Sequence, residues 1–147
     1  MNFELRQVVL DTSVVIKWVR SGEEDREQAL QLRKNYLEGE LAIAIPDLLL
    51  YELANVLRFK PSAVKENVRK VVNSFLDLGL AVIEPSPVVL HEAIELSFEY
   101  DVTFYDALFL AIAENLRYDF VTADQALYRQ ISQRGGAYLL STLQVLK

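Results

Sequence analysis

Apolar positions along the chain fall into two rhythms. Short unbroken runs at Gln7-Val8-Val9-Leu10, Leu41 to Ile45, Leu80 to Ile83 and Phe120-Val121-Thr122 have the length of strands and no polar alternation. Strands covered on both faces read this way. Between them lie longer stretches with helical spacing. A first helix is predicted from Ser13 to Arg20, ending at Ser21-Gly22. Glu23-Glu24-Asp25 gives an acidic start to a second, which runs to Leu37 and stops at Gly39. Asp47, after Pro46, is the expected N-cap of a helix from Leu48 to Phe59. Pro61-Ser62 is expected to open a helix through Leu78, with Gly79 as its stop. Further helices are expected from Pro87 to Tyr100, from Thr103 to Leu116 and from Gln125 to Gln133. Gly135-Gly136 then turns into a last strand near Ala137 to Leu140. The alternation predicts one α/β domain over residues 1–147, with a central, mainly parallel sheet of about five strands flanked by helices on both faces.

Composition narrows the chemistry. Cysteine is absent from the 147 residues and His91 is the single histidine. Thiolate nucleophiles, disulfide frameworks, Cys/His zinc sites and iron–sulfur clusters are excluded, and imidazole catalysis must use His91 alone. Carboxylates remain, 21 of them against 15 Lys and Arg. Chemistry in this chain is therefore expected to run through acids and a hard metal ion. The net charge of −6 argues against a uniformly basic nucleic-acid surface. The charge is unevenly spread, however. Arg58, Lys60, Lys65, Arg69 and Lys70 face only Glu66 in their stretch, a local +4 against −10 elsewhere. No apolar run approaches the roughly 18 residues of a membrane span. Glu4 and Arg6 interrupt the place where a leader would need an apolar core, so the expected setting is the cytoplasm, without membrane association.

Four acids fall in costly places. Asp11 directly follows the Val8-Val9-Leu10 strand, and Asp124 follows Phe120-Val121-Thr122 with one residue between. In open α/β sheets the carboxyl ends of strands form the functional crevice, so these two acids are placed to converge. Glu52 is the only charge between Leu48 and Leu57, and Asp106 the only one between Phe104 and Ala113. An ionised carboxylate on such an apolar stripe costs several kcal/mol (order of magnitude, ~) unless a cation or hydrogen bonds compensate. No Lys or Arg lies within a helical turn of Asp106.

Each acid also has an ordinary use. Asp11 and Asp124 are suited to capping the helices that follow them. Asp106 completes a Thr-x-x-Asp capping pattern with Thr103. Glu52 could reach solvent or pair with Arg58. All four together, on two strand ends and two apolar helices, favour a shared site.

At this point the sequence resembles a known family. Leu10-Asp11-Thr12-Ser13, Pro46 with Glu52 in a leucine-rich helix, Tyr105-Asp106-Ala107-Leu108 followed by Ala111 and Ala113-Glu114, and Val121-Thr122-Ala123-Asp124 together look like a PIN domain. The compact length resembles the VapC-type toxin ribonucleases of toxin–antitoxin pairs. The resemblance implies that Asp11, Glu52, Asp106 and Asp124 meet at one end of the sheet as the metal-binding and catalytic set around Mg²⁺ or Mn²⁺. It implies an RNA substrate, a cognate VapB-type antitoxin and a homodimer. The hydroxyls of Thr12, Ser13 and Thr122 are candidates to orient carboxylates or a water on the metal, although hydroxyls at strand ends also serve the local backbone.

The chemistry is consistent with that family, because phosphodiester hydrolysis needs an activated water and charge relief, which divalent cations on oxygen ligands supply. Two other readings compete: a catalytically silent PIN-like binding module, and an RNA-processing PIN nuclease outside toxin–antitoxin systems. A haloacid-dehalogenase-like phosphatase needs a second Asp two residues after the first, where this chain has Ser13. A receiver domain needs paired acids at its first strand, which are missing. His91 is expected at the surface, with no triad partners. Arg58, Lys60, Lys65, Arg69 and Lys70 are expected either to contact RNA or an acidic partner, or to form a solvated helix face. The aromatic set Phe98, Tyr100, Phe104, Tyr105 and Phe109 is expected to be mostly core, and Trp18 to be core or interface.

Overall fold

The computed structural model describes residues 5–144, so Glu4 lies outside the described residues. β1 (Gln7–Leu10) is the middle strand of a five-stranded sheet, between β2 (Ala42–Pro46) and β4 (Asp119–Thr122). β3 (Ala81–Ile83) and β5 (Ala137–Leu139) form the edges, giving the order β3-β2-β1-β4-β5. All four pairings are parallel, so the sheet is parallel throughout. Val9 lies opposite Ala44 on one side and Phe120 on the other. This register brings the carboxyl ends of β1, β2 and β4 to one edge of the sheet.

Among the described residues seven α-helices flank it: α1 (Thr12–Val19), α2 (Arg26–Leu37), α3 (Asp47–Arg58), α4 (Lys65–Leu76), α5 (Pro87–Tyr100), α6 (Phe104–Leu116) and α7 (Gln125–Ile131). The expectation of one α/β domain with helices around a parallel sheet holds. α6 is the central helix of the core. Every residue from Ala107 to Ala113 is buried, which explains its lack of a polar face. Phe109 packs against Phe120 of β4 with ring centroids 6.3 Å apart. That contact seats α6 on the strands that carry Asp11 and Asp124.

Several local expectations are corrected. α2 begins at Arg26 rather than Glu23, because Asp25 adopts a left-handed backbone (φ 58°) that ends the preceding turn. Ser62 is left-handed as well (φ 64°) and Val64 is extended, so α4 starts only at Lys65. Asp47 is the first residue of α3, not its cap; Pro46 holds the N-cap position with extended backbone. The aromatic set is mostly outside the core. Phe98 is 85% exposed and Tyr105 61%, Phe104 is also exposed, and Tyr100 is half-buried. Only Phe109 is fully buried, because it alone sits where α6 meets the sheet. Trp18 is buried, and its indole N–H donates to Ala29 O at 2.7 Å. His91 is exposed as expected. No helix among the described residues is long and apolar enough to cross a membrane.

Candidate metal centre

Asp11 emerges from β1 with its backbone still on the ladder, its N–H donating to Val121 O at 2.9 Å. It occupies the N-cap position of α1, yet its side chain caps nothing. The carboxylate is engaged elsewhere. Ser13 Oγ donates to Asp11 Oδ2 at 2.6 Å, and Thr122 Oγ1 donates to the same oxygen at 2.8 Å. The residue is almost fully buried (7% exposed), and no Lys or Arg among the described residues pairs with it. Burial pushes its pKa up from 3.8 to about 6; the hydroxyls of Ser13 and Thr122 oppose the rise, and the charges of Asp106 and Glu52 add to it.

Glu52 lies in the second turn of α3, on the helix that leaves the carboxyl end of β2. Thr12, the first residue of α1, donates from Oγ1 to Glu52 Oε1 at 2.9 Å. The carboxylate is half-buried and titrates above its ordinary value. Desolvation is the main cause, opposed by the Thr12 bond and reinforced by Asp106. No ion pair to Arg58 forms among the described residues.

Asp106 sits in the first turn of α6, which leads into β4 and so begins at the carboxyl edge of the sheet. Thr103 Oγ1 accepts the Asp106 backbone N–H at 3.1 Å, capping the helix. Asp106 is raised by desolvation first, opposed by the Thr103 hydroxyl and reinforced by Asp124.

Asp124 is a true N-cap, accepting the Leu127 N–H through Oδ1 at 3.0 Å. Its ordinary role is therefore real, but it occupies one oxygen of an exposed carboxylate.

The sheet edge thus brings the four acids within reach of one another's charge: Asp106 acts on Asp11 and Glu52, Glu52 on Asp11, and Asp124 on Asp106. Among the described residues no three of them close into a ready-made cage for an ion. The donor set fits a hard divalent cation: it is all oxygen, partly desolvated, and paired with no positive side chain among the described residues.

The hydroxyls of Thr12, Ser13 and Thr122 all touch the acids, as candidates read from the sequence. The partners that sequence reading missed are the backbone amides of Ala123 and Asp124, which donate to Ser13 Oγ (2.9 Å) and Thr122 Oγ1 (3.0 Å). A backbone donor leaves no trace in residue identity. The basic residues form no ion pair with the four acids among the described residues. Arg58, Lys65 and Arg69 line a cleft of about 470 Å³ between the end of α3 and α4, Lys60 lines a neighbouring one, and Lys70 a groove with Trp18 and Phe75. Arg69 pairs with Glu66 at 3.3 Å.

The fold is shared with solved structures of low sequence identity. A toxin–antitoxin complex from Klebsiella pneumoniae superposes with a TM-score of 0.68 at 20% identity, over 90% of this chain and 97% of that one. FitAcB from Neisseria gonorrhoeae gives 0.68 at 13%, over 92% and 99%. The sarcin–ricin loop cleaving toxin VapC20 of Mycobacterium tuberculosis gives 0.64 at 14%, over 83% and 93%. No curated relative matches in sequence. The model of the PIN domain family matches residues 8–131, a span that includes all four acids and their hydroxyl partners, and the chain belongs to that family.

Proposed function

We propose that this protein is a metal-dependent endoribonuclease toxin of the VapC type, hydrolysing RNA phosphodiester bonds and held silent by a cognate VapB-type antitoxin. The observation that carries the reading is the state of Asp11: a buried carboxylate, raised to about 6, with no cationic side chain among the described residues to balance it. Asp11, Glu52, Asp106 and Asp124 would hold Mg²⁺ or Mn²⁺. When bound, such an ion supplies an acidified water and relieves charge on the phosphate and leaving oxygen. The chain's part is to fix ligand oxygens. Ser13 and Thr122 hold Asp11, Thr12 holds Glu52, and the exposed Asp124 borders solvent where a strand of RNA would enter.

Membership of the PIN family supports the nuclease class, and the likeness in fold to toxin–antitoxin structures supports the toxin reading. The cluster of Arg58, Lys65 and Arg69 is suited to RNA backbone or an acidic segment of the antitoxin. Exposed Val88, Ile94 and Phe98 on α5 favour a homodimer contact. The test is cleavage of tRNA, rRNA and mRNA by antitoxin-free protein with Mg²⁺ or Mn²⁺, wild type against Asp11→Asn. Ion-dependent cleavage lost in the variant is expected. No cleavage under any of these conditions would favour a silent PIN-like binding module instead.

A further inference from the structure

Ser13 Oγ and Thr122 Oγ1 lie 3.4 Å apart, a long contact beside the shorter bonds that each makes to Asp11. Each hydroxyl has one hydrogen, and Asp11 Oδ2 takes both of them, at 2.6 and 2.8 Å. Each hydroxyl oxygen in turn accepts an amide from the segment that carries Asp124: Ala123 N–H to Ser13, Asp124 N–H to Thr122. Two parallel chains therefore run from the β4–α7 connection, through a hydroxyl, to one carboxylate oxygen on the neighbouring strand. Asp11 Oδ1 accepts no hydrogen bond from a described residue, and it is not sealed from solvent.

From this geometry we infer that Ser13 and Thr122 are positioning residues that act as one bridge, holding Asp11 by Oδ2 so that Oδ1 alone faces the divalent cation, and fixing the Asp11–Asp124 spacing. The inference rests on the divalent-cation reading above and deepens it. With both donors on one oxygen, the carboxylate cannot rotate to offer that oxygen, so Asp11 ligates through a single atom. The bridge also ties the backbone of Asp124 to the side chain of Asp11 across 113 positions of sequence, so two strand ends move together. Loss of one hydroxyl leaves the other to hold the carboxylate. Loss of both frees a buried carboxylate to turn, and the two substitutions are coupled.

The experiment measures Mn²⁺ affinity of the metal-free full-length chain by calorimetry or electron paramagnetic resonance. The variants are Ser13→Ala, Thr122→Val, Thr122→Ser and the Ser13→Ala/Thr122→Val pair, each checked for folding by circular dichroism. Ser13→Ala and Thr122→Val are each expected to weaken Mn²⁺ binding by about 10–100-fold, as for other groups that orient a ligand. Thr122→Ser is expected to restore most of it, and the pair to lose more than the product of the single losses. In the metal-free protein, amide exchange is expected to quicken at Asp124 in Thr122→Val and at Ala123 in Ser13→Ala. Tight wild-type binding that Thr122→Val leaves unchanged, even with faster exchange, overturns this inference alone. Independent, merely multiplicative losses overturn the shared bridge. A wild-type chain that binds no Mn²⁺ overturns the cation reading and this inference with it.

Discussion

Thr12 Oγ1 donates to Glu52 Oε1 at 2.9 Å, joining the first residue of α1 to the second turn of α3. The two residues are 40 positions apart, and their bond ties the helix leaving β1 to the helix leaving β2. Thr12 is buried while Glu52 is half-buried, so the bond orders a carboxylate that still reaches solvent. Replacing the hydroxyl by a methyl group of the same shape, Thr12→Val, is expected to cost about 1 kcal/mol in stability or less. Its effect on RNA cleavage is expected to be larger, about 10–100-fold, because a ligand loses its orientation. Thr12→Ser is expected to keep both properties near wild type. Urea unfolding and single-turnover cleavage of the three proteins check this.

The second expectation concerns pH. The pKa of Asp11 is raised from 3.8 to about 6 in the folded chain, so between roughly pH 4 and 6 the native state holds a proton that the unfolded state has released. Metal-free protein is therefore expected to lose stability as pH rises through that window, by at most about 3 kcal/mol. Glu52 and Asp106 shift in the same direction. Asp11→Asn is expected to flatten the profile and to stabilise the metal-free protein at pH 7.5. Mn²⁺ is expected to stabilise wild type at that pH and not at pH 4.5. Thermal unfolding with chelator and with Mn²⁺ at the two pH values measures all three effects.

Asp106 and Thr103 separate chemistry from folding. The cap of α6 is made by the Thr103 hydroxyl and the Asp106 backbone N–H, not by the Asp106 carboxylate. Thr103→Ala is expected to cost about 1 kcal/mol in stability, with cleavage reduced far less than in Asp106→Asn. Asp106→Asn keeps the cap and is expected to fold like wild type while losing more than the roughly 10–100-fold typical of an orienting residue. Denaturation and cleavage assays on both variants give the comparison.

Phe109 tests how firmly α6 is seated. Its ring is buried against Phe120, and Asp106 lies three residues before it on α6. Phe109→Ala is expected to destabilise the fold by about 3–5 kcal/mol. Phe109→Leu, which keeps much of the volume, is expected to cost markedly less. Equilibrium unfolding distinguishes the two.

Much of this architecture is legible in the residues. The apolar runs gave the strands because a parallel sheet covered on both faces demands unbroken hydrophobicity, as at Val8-Val9-Leu10. The acids stood out for the converse reason, that a lone charge such as Asp106 on an apolar helix needs a physical justification. What escaped was local backbone and exposure. Nothing in Asp25 or Ser62 announced a left-handed conformation, so α2 and α4 were expected too early. Phe98 and Tyr105 read as core from hydrophobicity alone, although the packing of α5 and α6 turns them to solvent. Capping and site roles were also inseparable by sequence: Asp124 caps its helix and Asp11 does not, and only the Ser13 and Thr122 hydroxyls on Asp11 distinguish them.

The most direct measurement is cleavage of a defined RNA by purified, antitoxin-free protein with Mn²⁺ and with excess EDTA, wild type beside Asp106→Asn. Internal cleavage by wild type that requires the ion, and that the variant lacks while remaining folded, is the predicted result. Cleavage that persists in EDTA and is untouched by Asp106→Asn would contradict a metal-dependent ribonuclease built on these four acids.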